Sequence, residues 1–124
     1  MKIPEARILV VDPVYLVAME AERILTDRLE CRVQIAMPRE CQVVLDETSF
    51  DVVVMEGLLV KGERHDLLMR HQLAGTGIVF TAFTNDFFDD LEGFLGVKLV
   101  SKPFDDEELT EAVRAALALR LDMA

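Results

Sequence analysis

The 124 residues suffice for one hydrophobic core and are too few for two. Acidic residues number 23 against 13 Lys and Arg, a formal net charge of −10 that sets the surface against duplex nucleic acid and anionic membranes. No apolar run approaches the roughly 20 residues that span a bilayer, and residues 1–20 lack the basic start and long apolar stretch of a signal peptide, so a cytoplasmic domain is expected.

Residues 7–11 form an apolar, β-branched run that stops at Asp12-Pro13. Residues 14–28 then carry Val17, Ala21, Ile24 and Leu25 at helical spacing. A short strand is predicted over 32–36, with Pro38 opening a second helix towards Leu45. Residues 51–56 are a continuous apolar run bounded by acids, the pattern of a strand buried on both faces of a parallel sheet. A helix over 64–74 ends at the glycines Gly75 and Gly77, and residues 77–81 form the next buried strand. Residues 86–94 read as a short helix rich in Asp and Phe, and 97–101 as a last strand. Asp105 with Glu108 three residues on makes a capping box. Behind it Leu109, Ala112, Val113, Ala116 and Leu117 keep the i, i+3, i+4 rhythm of a final helix.

Strand and helix thus alternate five times. That order implies one α/β domain over residues 1–124, a doubly wound (βα)5 parallel sheet of five strands with helices on both faces. Ligands on such sheets sit at the carboxyl ends of the strands. The residues predicted there are Asp12, Glu56, Thr81 and Lys102, which therefore converge on one edge. Two carboxylates, a hydroxyl and an ammonium can hold a cation such as Mg²⁺ and a phosphoryl group. Without a phosphate, Lys102 can instead pair with Glu56 and Asp12 as a salt bridge that ties the loops together.

Several segments resemble the receiver domain of bacterial response regulators: Ile-Leu-Val-Val-Asp at 8–12, the buried strand ending in Glu56, Val-Phe-Thr-Ala-Phe at 79–83 and Ser-Lys-Pro-Phe at 101–104. The resemblance runs from about residue 6 to 120, and Lys-Pro-Phe before an acid-capped helix is its more specific part. It implies a flavodoxin-like fold, a place in a two-component phosphorelay, an aspartyl phosphoacceptor ending the third strand, and further acids after the first strand that hold Mg²⁺. Four positions depart from the pattern. Glu56 stands at the phosphoacceptor, Pro13 at the second acid of the Mg²⁺ pair, Leu99 at the aromatic switch and Val60 at the proline beyond the acceptor loop. Thr81 and Lys102 are retained. Asp51 opens the same strand that Glu56 closes and belongs at the opposite edge, so it is no substitute acceptor.

The added methylene of Glu56 displaces the carboxylate by about a bond length, where in-line transfer tolerates little error. Pro13 removes a metal-holding acid, leaving Asp12 and Glu56 as a weak or absent Mg²⁺ site. The expectation is a pseudo-receiver without enzymatic activity, standing alone and acting by docking. Its partner would be a histidine kinase, a phosphotransfer protein or another regulator. A homodimer through the fourth helix, fifth strand and fifth helix is the other expected interface. Glu56 either holds the domain in a fixed state by reaching towards Thr81 and Lys102 or is a strand-end ion-pair partner left by a decayed site. The alternatives are a regulator phosphorylated on Glu56 and a small doubly wound enzyme or nucleotide-binding domain. The second lacks a glycine-rich phosphate loop after the first strand, where Asp12-Pro13-Val14-Tyr15 stands.

Three further features are expected to be structural. Cys31 and Cys41 make no metal pattern and should be reduced cysteines in or near the core. His65 and His71, six apart, should be solvated surface residues. Phe83, Phe87, Phe88 and Phe94 should pack around the fourth helix or, with Asp86, Asp89, Asp90 and Glu92 as a rim, form a partner surface.

Overall fold

The computed structural model describes residues 5–83, 91 and 93–123, with side chains through residue 118. In chain order come β1 (Ala6–Val11), α1 (Tyr15–Arg28), β2 (Cys31–Ala36), a 3-10 turn (Pro38–Glu40) and α2 (Cys41–Glu47). There follow β3 (Val52–Glu56), a second 3-10 turn (Gly57–Leu59), α3 (Glu63–Leu73), β4 (Gly77–Ala82), β5 (Leu99–Ser101) and the C-terminal helix α4 (Asp106–Met123). The strands form one sheet of five in the order β2-β1-β3-β4-β5, and every pairing is parallel. Most of the helix expected over 86–94 lies outside the described residues, including Asp86, Phe87, Phe88, Asp89, Asp90 and Glu92.

Strand side chains alternate between the two faces, and both faces are apolar. Ile8, Val10, Val52, Val54 and Val79 pack with Ala18, Ala21, Ile24 and Leu25 of α1 and Leu109, Val113 and Ala116 of α4. Leu9, Val11, Val53, Met55, Ile78 and Phe80 pack on the other face with Leu45 of α2 and Leu67 and Leu68 of α3. The uninterrupted apolar runs in β1, β3 and β4 are therefore the direct sequence record of a sheet covered on both sides. Cys41 belongs to the second cluster and Cys31 packs against the first; both are free thiols, and burial pushes each above the ordinary thiol range.

Four expectations change. In α1 the buried position is Ala18, with Val17 only partly covered, because the apolar residues at its start offer two competing stripes. Glu108 does not simply close a capping box: Asp105 Oδ2 accepts from Glu108 N at 2.9 Å, while Glu108 Oε1 accepts from Ser101 N at 3.1 Å and ties α4 to β5. His65 is not a free surface residue, since its ring meets Phe94 edge-on at 5.1 Å, and Phe94 in turn meets Phe80 at 5.1 Å. His71 is likewise partly covered, and burial, helped by Arg70, lowers its pKa. Beside this stack the Gln72 amide makes two 2.9 Å hydrogen bonds to the Leu95 backbone, one to its N–H and one to its carbonyl. The segment entering β5 is thereby fastened to α3.

Gly77 opens β4 where α4 comes closest. A Cβ there would lie 2.8 Å from the Ala116 carbonyl oxygen and 3.0 Å from the Ala116 Cβ. Gly77→Ala should therefore cost about 1–3 kcal/mol by forcing α4 off the sheet, read as a lower urea midpoint.

Candidate functional site

The order in which strands are added reverses between β1 and β3, the place where doubly wound folds leave a crevice at their carboxyl edge. Asp12 follows β1, Glu56 ends β3, Thr81 lies in β4 opposite Glu56, and Lys102 follows β5. All four are buried, at 2%, 9%, 2% and 5% exposure. The edge thus gathers the four residues that the sequence singled out.

Lys102 holds the centre. Its Nζ donates to Asp12 Oδ2 and to Glu56 Oε1, both at 2.8 Å. Asp12 Oδ1 accepts from Val14 N at 2.8 Å, the local bond that an Asp-Pro-X turn favours. Glu56 reaches Lys102 but makes no hydrogen bond to Thr81, whose buried hydroxyl has no partner among the described residues. The Phe83 ring lies over Lys102 Nζ, 4.7 Å from ring centre to nitrogen, and caps the ammonium with an otherwise exposed aromatic. Phe83 sits two residues beyond Thr81, so the period-two alternation of a strand was the signal that would have placed it at this site.

Asp51 is at the other end of β3. Its carboxylate accepts from Arg7 N at 2.8 Å, and its backbone joins Arg7 and Gly77 at the starts of β1 and β4. Five residues of strand, roughly 16 Å, separate it from the lysine.

Mg²⁺, the ion implied by the receiver resemblance, does not fit these residues as they stand. A hard dication needs several oxygen ligands. Pro13 offers no side-chain oxygen, Asp12 spends one oxygen on Val14 and the other on Lys102, and Glu56 Oε1 is held by the same ammonium. The position between the carboxylates is already filled by a cation belonging to the chain. Among the described residues no group of three or more His, Cys, Asp or Glu is placed to hold a metal ion.

Solved structures match this architecture closely. The signal receiver domain of an HD domain-containing protein from Pseudomonas fluorescens superimposes with a TM-score of 0.80 at 22% identity, over 98% of this chain and 94% of that one. The fold is that of a response-regulator receiver domain. A receiver protein from Sinorhizobium medicae gives a TM-score of 0.74 at 19% identity, covering 94% of this chain and 97% of that one. The chemotaxis response regulator CheY4 of Vibrio cholerae gives 0.73 at 20% identity, covering 92% and 100%. No protein-family model and no curated protein matches the sequence. The receiver fold accounts for the meeting of the four residues, since each follows or closes a strand at the same edge.

Removing the ammonium would leave two buried carboxylates facing each other. Lys102→Met is expected to cost about 3–5 kcal/mol, measured by chemical denaturation. Adding Glu56→Gln to that variant should recover part of the loss. Equal stability of Lys102→Met and the native chain would show that the cluster is not held by charge.

Proposed function

We propose that the chain is a receiver-type signalling module, one domain over residues 1–124, that works by docking to a protein partner and not by ordinary aspartyl phosphorylation. The observation that carries this reading is the Lys102 ammonium, 2.8 Å from both Asp12 and Glu56 inside a buried edge. In this reading the place where an acceptor carboxylate and a metal ion would cooperate is occupied by an internal ion triad. Glu56 locks the edge in a single state, and Lys102, itself held by Asp12, serves to position it.

The surroundings favour docking. Val14, Tyr15, Leu16, Leu58 and Phe83 follow the strand ends near the triad and are 48%, 56%, 74%, 52% and 64% exposed. Apolar side chains held out to solvent suit contact with another protein. The partner in this reading is a histidine kinase, a phosphotransfer protein or another regulator; a homodimer through the region around β5 and α4 is the second expected contact. The net charge of −10 disfavours nucleic acid as partner. Among the described residues no helix is long and apolar enough to cross a membrane. The function is that of a non-enzymatic cytoplasmic relay component.

One observation favours a second reading. The Thr81 hydroxyl is buried opposite Glu56 without a partner among the described residues, where it could donate to a phosphoryl oxygen on that carboxylate. Intact-mass measurement after incubation with acetyl phosphate and Mg²⁺ separates the two. The docking reading expects no phosphoryl adduct; a stoichiometric, hydroxylamine-sensitive adduct on the native chain would overturn it. Pro13→Asp/Glu56→Asp restores the two acids, and its Tm should rise with added Mg²⁺ while that of the native chain stays constant.

A further inference from the structure

We infer that the groove between α2 and α3 binds an acidic, extended peptide segment of a partner protein, an interaction separate from the carboxyl-edge docking proposed above. Two adjoining hollows of about 330 and 390 Å³ share Gln42, Glu63 and Leu67 and so form one channel along the two helices. Arg39, Lys61 and Arg64 line the first, and Arg70 lines the second. None of these four makes an ion pair among the described residues, although acids outnumber bases 23 to 13 in the chain. By contrast, Arg23, Arg28, Arg32 and Arg114 all have carboxylate partners. Among the described residues these four cations thus lie together without an ion pair, while Arg7 and Lys98 have none elsewhere in the chain. The positive end of the α3 dipole falls at the same place, at Glu63 after Gly62.

The lining selects the kind of anion. Glu63 and Asp66 interrupt the basic residues, and Leu67 beneath them is buried in the core, 4% exposed. A continuous polyphosphate backbone would meet those acids and the chain's net charge of −10. A peptide can place its carboxylates opposite the arginines and pass uncharged residues over Glu63 and Asp66.

The test uses the full chain and a fluorescein-labelled octapeptide of glutamates interrupted by two central glycines, followed by anisotropy. Binding is expected at about 50 mM salt and should weaken at about 200 mM, as screening requires. Arg39→Glu/Arg64→Glu should weaken it about tenfold or more. Arg28→Glu/Arg114→Glu, the same charge change on the opposite face of the sheet, should leave it unchanged. If the reversed pair lowers the melting temperature, Arg39→Gln/Arg64→Gln replaces it and should still weaken binding. Absence of binding, equal weakening by the two charge-reversed pairs, or tighter binding of oligothymidylate or pyrophosphate than of the peptide would overturn the proposal. None of these outcomes bears on phosphorylation at Glu56, so the two readings stand or fall separately.

Discussion

A single ammonium neutralises a sheet edge that would otherwise hold two buried carboxylates. Withdrawing such ions from water is expensive, and their mutual attraction offsets the cost only when each charge is well paired. Here Lys102 reaches both acids at hydrogen-bond distance, the Val14 amide takes the remaining Asp12 oxygen, and Phe83 covers the nitrogen. The contacts draw together the ends of β1, β3 and β5. Because β4 lies between β3 and β5, the lysine has to reach past the Thr81 position, and Thr81 is itself buried.

This arrangement gives the molecule two chemically different faces. The carboxyl edge has charge inside and apolar side chains outside, the reverse of what a site open to a dication and a charged donor requires. The α2–α3 groove has four cations without ion pairs among the described residues, interrupted by Glu63 and Asp66, over buried Leu67. The sheet itself is ordinary for its topology: period-two alternation distributes its apolar residues to helices on both sides. What distinguishes the chain lies in a few positions at strand ends, above all Pro13 and Glu56.

The sheet was legible in the sequence because β1, β3 and β4 are buried on both faces, so burial left unbroken apolar runs. The meeting of Asp12, Glu56, Thr81 and Lys102 was legible for a topological reason: parallel strands bring all their carboxyl ends to one edge. Partner choice was not. Glu108 satisfies a capping pattern, yet its oxygen goes to Ser101, because β5 ends within reach of the first turn of α4. His65 looks polar and isolated in one dimension, but α3 sets it against Phe94 from a distant loop. The start of α1 carries apolar residues all round, so periodicity alone could not decide between Val17 and Ala18. The bridging position of Lys102 was one of two arrangements open to it, and only three-dimensional placement distinguishes them.

Asp12 and Lys102 are 90 residues apart in the chain, and Glu56 and Lys102 are 46 apart. During synthesis both acids leave the ribosome well before their counter-charge exists. A nascent chain ending before residue 102 has every residue of β1 through β4 and still lacks the group that makes burial of those acids tolerable. Completion of the edge is thus deferred until the last strand of the sheet has emerged, and any loss of this lysine strikes at the first strand as much as at the last.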